Sequence, residues 1–362
     1  MKKSVFKRST ILGTALFLLT LGISAQEEVT KEYSKEYTAG ENTELELSNR
    51  YGDVTIRTSD DNKVVIKVKV MVRYPNREKA ERLLSYIDVE FTESPDLINA
   101  RTVIDDKFSF SGWGGESRRF RIDYNVTMPE NMSLELYNRY GDTELDDLSG
   151  FVDVDIKYGN LRAGKLTRGP EKPWNKISLA YGKASLEEAA WLDVYLRYCT
   201  DFNLPESQAL LLDSRYSRIT LGTVNSLVAD SRYDSNFRIS NINNLVIDQG
   251  YSNVDIGSLS KKLVLTAGYG SFTSDNVPDN FESLEVETRY ANVTLGIDES
   301  ADYNLDAKLS YGGIRFNDEN FNVKRRIVEN TSTEIVGTVG DEESPESSVK
   351  IRSSYATIRL YR

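Results

Sequence analysis

The 362-residue chain contains no histidine. That absence excludes Ser-His-Asp and Cys-His catalysis, and histidine-ligated zinc or iron. A single cysteine, Cys199, excludes an intramolecular disulfide, so the core must hold the fold unaided. No phosphate-cradling G-x-x-x-x-G-K-[ST] loop occurs, and no G-x-G-x-x-G opens a helix. No cofactor and no metal site is expected, because the calcium-binding loop patterns are missing too. The net charge of −11 opposes binding to nucleic acid and anionic lipid.

Long apolar runs are also absent, with one short exception. Lys2, Lys3, Lys7 and Arg8 precede the apolar stretch Ile11 to Ile23, and Ala25 follows. The stretch is shorter than the roughly 20 residues a spanning helix needs. It reads as a secretory signal peptide, cut after Ala25. Its loss removes four positive charges and takes the net charge to −15. The expected product is exported and unanchored: periplasmic, cell-surface or secreted.

What is abundant is tyrosine in a repeated setting. "LELSNRYGDVTI" (Leu45–Ile56) and "LELYNRYGDTEL" (Leu134–Leu145) say nearly the same thing. After Tyr51 the series continues at Tyr140, Tyr158, Tyr181, Tyr198, Tyr216, Tyr233, Tyr251, Tyr269, Tyr290 and Tyr311, and ends at Tyr355. Between Tyr140 and Tyr311 the steps are 17–23 residues. Apolar residues alternate up to each tyrosine, a small residue follows, and alternation resumes out of phase. Period two means a strand with one buried face, and the slip in phase means a corner. Glycine often supplies the conformation of a sharp corner, but Cys199, Ser217, Asp234, Ser252, Ala291 and Ala356 share its place.

A unit of this size cannot close its own core, but a stack of units can. The pattern predicts an all-β parallel β-solenoid of about twelve short coils. Equivalent residues then lie over one another at the ~4.8 Å strand spacing. The tyrosines form one ladder. Asn49, Asn138, Ser214, Ser231, Gln249 and Thr288 form a second, polar one, and both face inward. The step of 44 from Tyr311 to Tyr355 leaves room for one coil without its tyrosine, using "STEIVGTVG" (Ser332–Gly340).

Residues 1–25 are then the signal peptide and 26–44 a lead-in. Residues 45–133 hold the first coil and a strand-helix-strand capping insertion, and residues 134–362 carry the repeats. The helix is expected near 75–87, with Ala80, Leu83, Leu84 and Ile87 on one stripe. Gly112, Gly114 and Gly115 predict a mobile hairpin tip that exposes Trp113 to a ligand.

No catalytic residues stand out. Asp60–Asp61, Asp105–Asp106 and Asp146–Asp147 read as solvated turn pairs. The most regular surface feature is basic. Arg50, Arg139, Arg197, Arg215, Arg232 and Arg289 each precede a ladder tyrosine, as does Lys157. They predict an outward row able to bind an acidic glycan, or one neutralised by acids such as Asp53, Asp142 and Glu287.

The residues "VTMPENMSLELYNRYGDTEL" carry a resemblance. A strand ending in Pro, four residues, an alternating strand and a Gly-Asp corner resemble the bacterial "putative adhesin" β-solenoid proteins. The resemblance covers Leu45 to Arg362. It implies a right-handed parallel β-solenoid at the envelope or outside the cell, and no catalytic residues. This chain departs from the glycine-rich members by its corner tyrosines. The expected role is a non-enzymatic adhesin-like module whose partner is glycan or an envelope protein. A polysaccharide lyase or hydrolase on a parallel β-helix and a structural envelope protein are the rivals.

Overall fold

The computed structural model describes residues 27–40, 42–108, 113 and 118–361. The expected signal peptide and the glycines flanking Trp113 lie outside the described residues. Within them, twenty-six strands and one helix form an all-β chain whose open sheet is mostly parallel.

In the middle of the chain, each stretch between two tyrosines is one long bent strand, here called a rung. Lys183–Arg197, Asp201–Arg215, Arg218–Arg232 and Asn236–Gly250 are fifteen residues each. Each pairs in parallel, like residue over like, with the next. The backbone bonds therefore run between rungs, and the core does too. Phe202, Ile219, Phe237, Val254, Phe272 and Val293 stand in register as one inward column. All six are fully buried. Alternating aromatic and β-branched side chains fill that column at the density a core requires.

The N-terminal end is closed by antiparallel strands. Glu27–Thr38 runs against Lys63–Tyr74, which runs against Arg119–Pro129. The last then pairs in parallel with Val54–Ser59 and so joins the rungs. The expected lead-in is thus largely a strand. The helix is Arg77–Leu84, begun by Asn76, whose Oδ1 accepts from the Lys79 N–H at 2.8 Å. Ala80 and Leu83 are its buried residues. Ile87 belongs instead to the strand Ile87–Ser94, where it is fully buried.

The C-terminal end departs from the repeat. Ser332–Val339 is no parallel coil: it runs antiparallel to Tyr303–Ser310 and to Phe321–Val328. The strand Ser348–Ser354 inserts between Ser283–Arg289 and Tyr303–Ser310, parallel to both. Rung order therefore differs from chain order, and Tyr355 stacks between Tyr290 and Tyr311. Lys324, Arg325 and Arg326 on the outer strand Phe321–Val328 oppose edge-to-edge aggregation.

Candidate functional site: the tyrosine corner

Twelve tyrosines stack along one corner. From Tyr51 to Tyr290, then Tyr355 and Tyr311, neighbouring ring centroids are 4.6–5.1 Å apart and interplanar angles are 1–15°. The rungs set this spacing. The tyrosines do not face inward, however. From Tyr140 onward they are 39–59% exposed. The reason is the backbone. Eleven of them have φ between 52° and 67°. This left-handed conformation turns the side chain out of the alternation that would have buried it. Each ring covers its neighbours' faces, so a ligand meets ring edges and hydroxyls.

The positive φ thus sits on tyrosine, and the residue after it has another constraint. A Cβ on Gly141 would lie 1.9 Å from the carbonyl oxygen of Gly52, and one on Gly159 the same distance from that of Gly141. At six later corners the position carries a buried side chain, Cys199, Ser217, Asp234, Ser252, Ala291 and Ala356, and glycine returns at Gly270 and Gly312.

The polar residues two before the tyrosine are buried as expected. Three of them serve the corner's own carbonyls. Asn49 and Asn138 Nδ2 donate to Gly52 O and Gly141 O, each at 3.1 Å, and Thr288 Oγ1 donates to Ala291 O at 2.7 Å.

Asp234, the residue after Tyr233, is a fully buried carboxylate beside this ladder. Ser214 Oγ and the Ser217 N–H donate to its Oδ1 at 3.0 and 2.8 Å, and Ser231 Oγ to its Oδ2 at 2.6 Å. Burial nevertheless raises its pKa above the ordinary carboxylate value, against those hydrogen bonds. The folded state therefore holds this proton more tightly than the unfolded chain. Its effect on stability is most favourable below the unfolded carboxylate pKa and declines as pH rises through the folded value. Asp234→Asn keeps the shape and removes that decline. Thermal unfolding should show the variant gaining on the wild type between acidic and neutral pH. A constant difference across that range would contradict the assignment.

The arginine row is not a strip of free charge. Arg197 and Arg215 both reach Asp213 at 3.0 Å. Arg215 and Arg232 reach Asp230 at 2.9 and 3.3 Å, and Arg232 also reaches Asp248 at 2.9 Å. Arg139 pairs with Asp155 at 2.8 Å. In-register stacking would set arginine over arginine, and the interleaved aspartates relieve that repulsion. These carboxylates are not the ones expected from sequence: Asp53 pairs with Arg121, and Asp142 Oδ1 accepts from the Asn160 N–H at 2.9 Å. Lys157 and Arg50 are exposed. Arg289 lies over the Tyr290 ring, 5.3 Å from its centroid.

Trp113 is not an exposed tip. It is half-buried, stacked 5.4 Å from Phe108 and edge-on to Phe120 at 5.0 Å. Phe120 in turn lies 5.0 Å from Tyr51, so this aromatic cluster closes the ladder's N-terminal end.

The face beyond the corner holds an open groove of 920 Å³, which includes Asp53, Asp142, Glu144, Arg162, Lys183 and Asp201. Asp53 and Asp142 there accept backbone N–H bonds from the following rungs. Among the described residues no three His, Cys, Asp or Glu side chains converge to hold a metal, and no helix is long and apolar enough to cross a membrane.

No family model and no curated protein sequence matches this chain. Solved structures do match. One is a "putative cell adhesion protein" from Clostridium sporogenes, 13% identical, covering 92% of this chain and 99% of its own, with a TM-score of 0.19. Another is a "putative adhesin" from Bacteroides fragilis, 12% identical, covering 73% and 96%, with a TM-score of 0.31. A third is a "putative lipid binding protein" from Parabacteroides distasonis, 10% identical, covering 72% and 95%, with a TM-score of 0.31. Most of these structural neighbours bear adhesin names, the name of the family that the sequence resembles.

Proposed function

We propose that the protein is an exported, non-enzymatic, adhesin-like right-handed β-solenoid of about twelve coils, which binds an extended glycan of the cell envelope along its tyrosine corner. The observation that carries this reading is the exposed ladder itself. Its stacked rings hold a row of hydroxyls at the rung spacing, beside alternating guanidinium and carboxylate groups. A linear array of donors and acceptors repeating every ~4.8 Å suits a linear polymer rather than a compact substrate.

The test is a glycan-array and envelope-polysaccharide screen of residues 26–362. The informative variant replaces Tyr181, Tyr198, Tyr216 and Tyr233 by Phe, which keeps the stack and deletes four hydroxyls. Binding should fall at least tenfold in that variant, with unchanged thermal stability. A variant with glutamate at Arg139, Arg215, Arg232 and Arg289 tests the arginine row in the same screen. The polysaccharides are also checked for shortened products. Cleavage would replace this reading by that of a carbohydrate enzyme, and no binding at all would end it.

A further inference from the structure

The arginine row has a gap. Arg232 is in register with Gly250 on the next rung, and the Gly268 N–H donates to Gln249 O on that rung. Arg289 follows on the rung after Gly268. Two successive rungs therefore carry glycine where arginine would stand, and the Arg232 side chain leans over the first of them, Gly250. The backbones of the two arginines at the ends are three rungs apart, about 14 Å at the strand spacing.

An open groove of 570 Å³ occupies this gap, a size typical of small-ligand sites. Four cations line it: Arg232, Arg289, Lys308 and Arg352. Two carboxylates, Asp248 and Glu287, and hydroxyl residues that include Thr266 and Ser310 also line it. The cations are not equivalent. Arg232 is held by Asp248, and Arg352 pairs with Asp306 at 2.8 Å. Arg289 makes no ion pair among the described residues and rests on the Tyr290 ring.

The corner beside the gap is also built differently. Tyr269 alone among the ladder tyrosines lacks a left-handed φ, and Gly270 takes it instead at 112°. The Tyr251–Tyr269 step is the tightest, at 4.6 Å.

We propose that this notch binds a single acidic sugar residue of the polymer, its carboxylate on Arg289 and its hydroxyls on Asp248, Glu287 and Thr266. The inference rests on the glycan-binding reading above. The mixed lining selects this ligand class. A bare phosphate meets two carboxylates at close range, whereas a sugar offers them hydroxyl donors. A neutral sugar leaves the guanidinium without an anion.

Calorimetric titration of residues 26–362 with trigalacturonate, neutral galactotriose and inorganic phosphate tests it. The wild type should bind the uronate at least tenfold tighter than either of the others. Arg289→Leu should lose at least tenfold. Gly268→Arg puts an arginine into the gap and fills the notch. A Cβ there meets only ordinary contacts of 3.6 and 3.7 Å, so the variant folds. It too should lose at least tenfold, while Gly268→Ala binds as the wild type does. Full uronate binding by Gly268→Arg, phosphate binding as tight as uronate, or no uronate binding by the wild type would each overturn the notch. The polymer screen with the four Tyr→Phe changes decides the broader reading separately.

Discussion

Gly159→Ala should destabilise the protein by about 3 kcal/mol, the upper range for forcing an added atom into a packed interior. The new Cβ would fall 1.9 Å from Gly141 O and 2.8 Å from its carbonyl carbon. Both are backbone, so no flexible side-chain end can move aside. The same oxygen accepts from Asn138 Nδ2 at 3.1 Å, so a shift also strips that buried amide of a partner. The damage does not stay local. Gly182 has the same relation to Gly159, and Gly52 a similar one to Ile122. Gly313, where a Cβ meets nothing within 4 Å, is the control. Urea denaturation should show a large loss for Gly159→Ala and almost none for Gly313→Ala. Equal midpoints would mean that the glycine column does not set rung spacing.

Tyr216 gives the second result, an inverted order of substitutions. Its ring lies 5.0 Å from Tyr198 and 4.9 Å from Tyr233, stacked nearly parallel to both. Tyr216→Ala removes two stacking contacts, a loss of about 1–3 kcal/mol. The alanine must still occupy a φ of 56°. Tyr216→Gly loses the same contacts but removes the left-handed backbone cost of roughly 1 kcal/mol. Glycine should therefore be the less damaging of the two, although within a strand it is normally the worse. Denaturation of the two variants side by side decides it. Alanine above glycine would mean that the corner does not impose the left-handed conformation.

Both results concern interactions that the sequence only half discloses. Its repeat period placed equivalent residues over one another, because parallel rungs pair in register. The polar residues Asn49, Asn138 and Ser214 were legible as inward for the same reason: period two carries them to the buried face. The sign of φ leaves no trace in such a pattern. Phase alone therefore points tyrosine to the inside, and only the folded corner shows that a left-handed residue ends the phase.

The arginine row was visible, but its neutralisation was not. The partners are aspartates one rung on, at Asp155, Asp213, Asp230 and Asp248. Side-chain reach between rungs depends on direction as well as spacing. Gly250 and Gly268 stand in the sequence where other coils carry arginine, yet only stacking makes them adjacent and turns two absences into a groove.

Sequence alone thus determined that the chain is a stack of short strand-corner-strand units with an N-terminal helix-bearing insertion. Hydrophobic alternation and corner residues encode the shape of each unit. Tertiary structure alone decided the order of the stack at its C-terminal end, where Ser348–Ser354 slips between Ser283–Arg289 and Tyr303–Ser310. A parallel rung offers the same backbone donors and acceptors to any other rung, so the repeat specifies what each layer looks like and leaves its neighbour to be chosen by the whole fold.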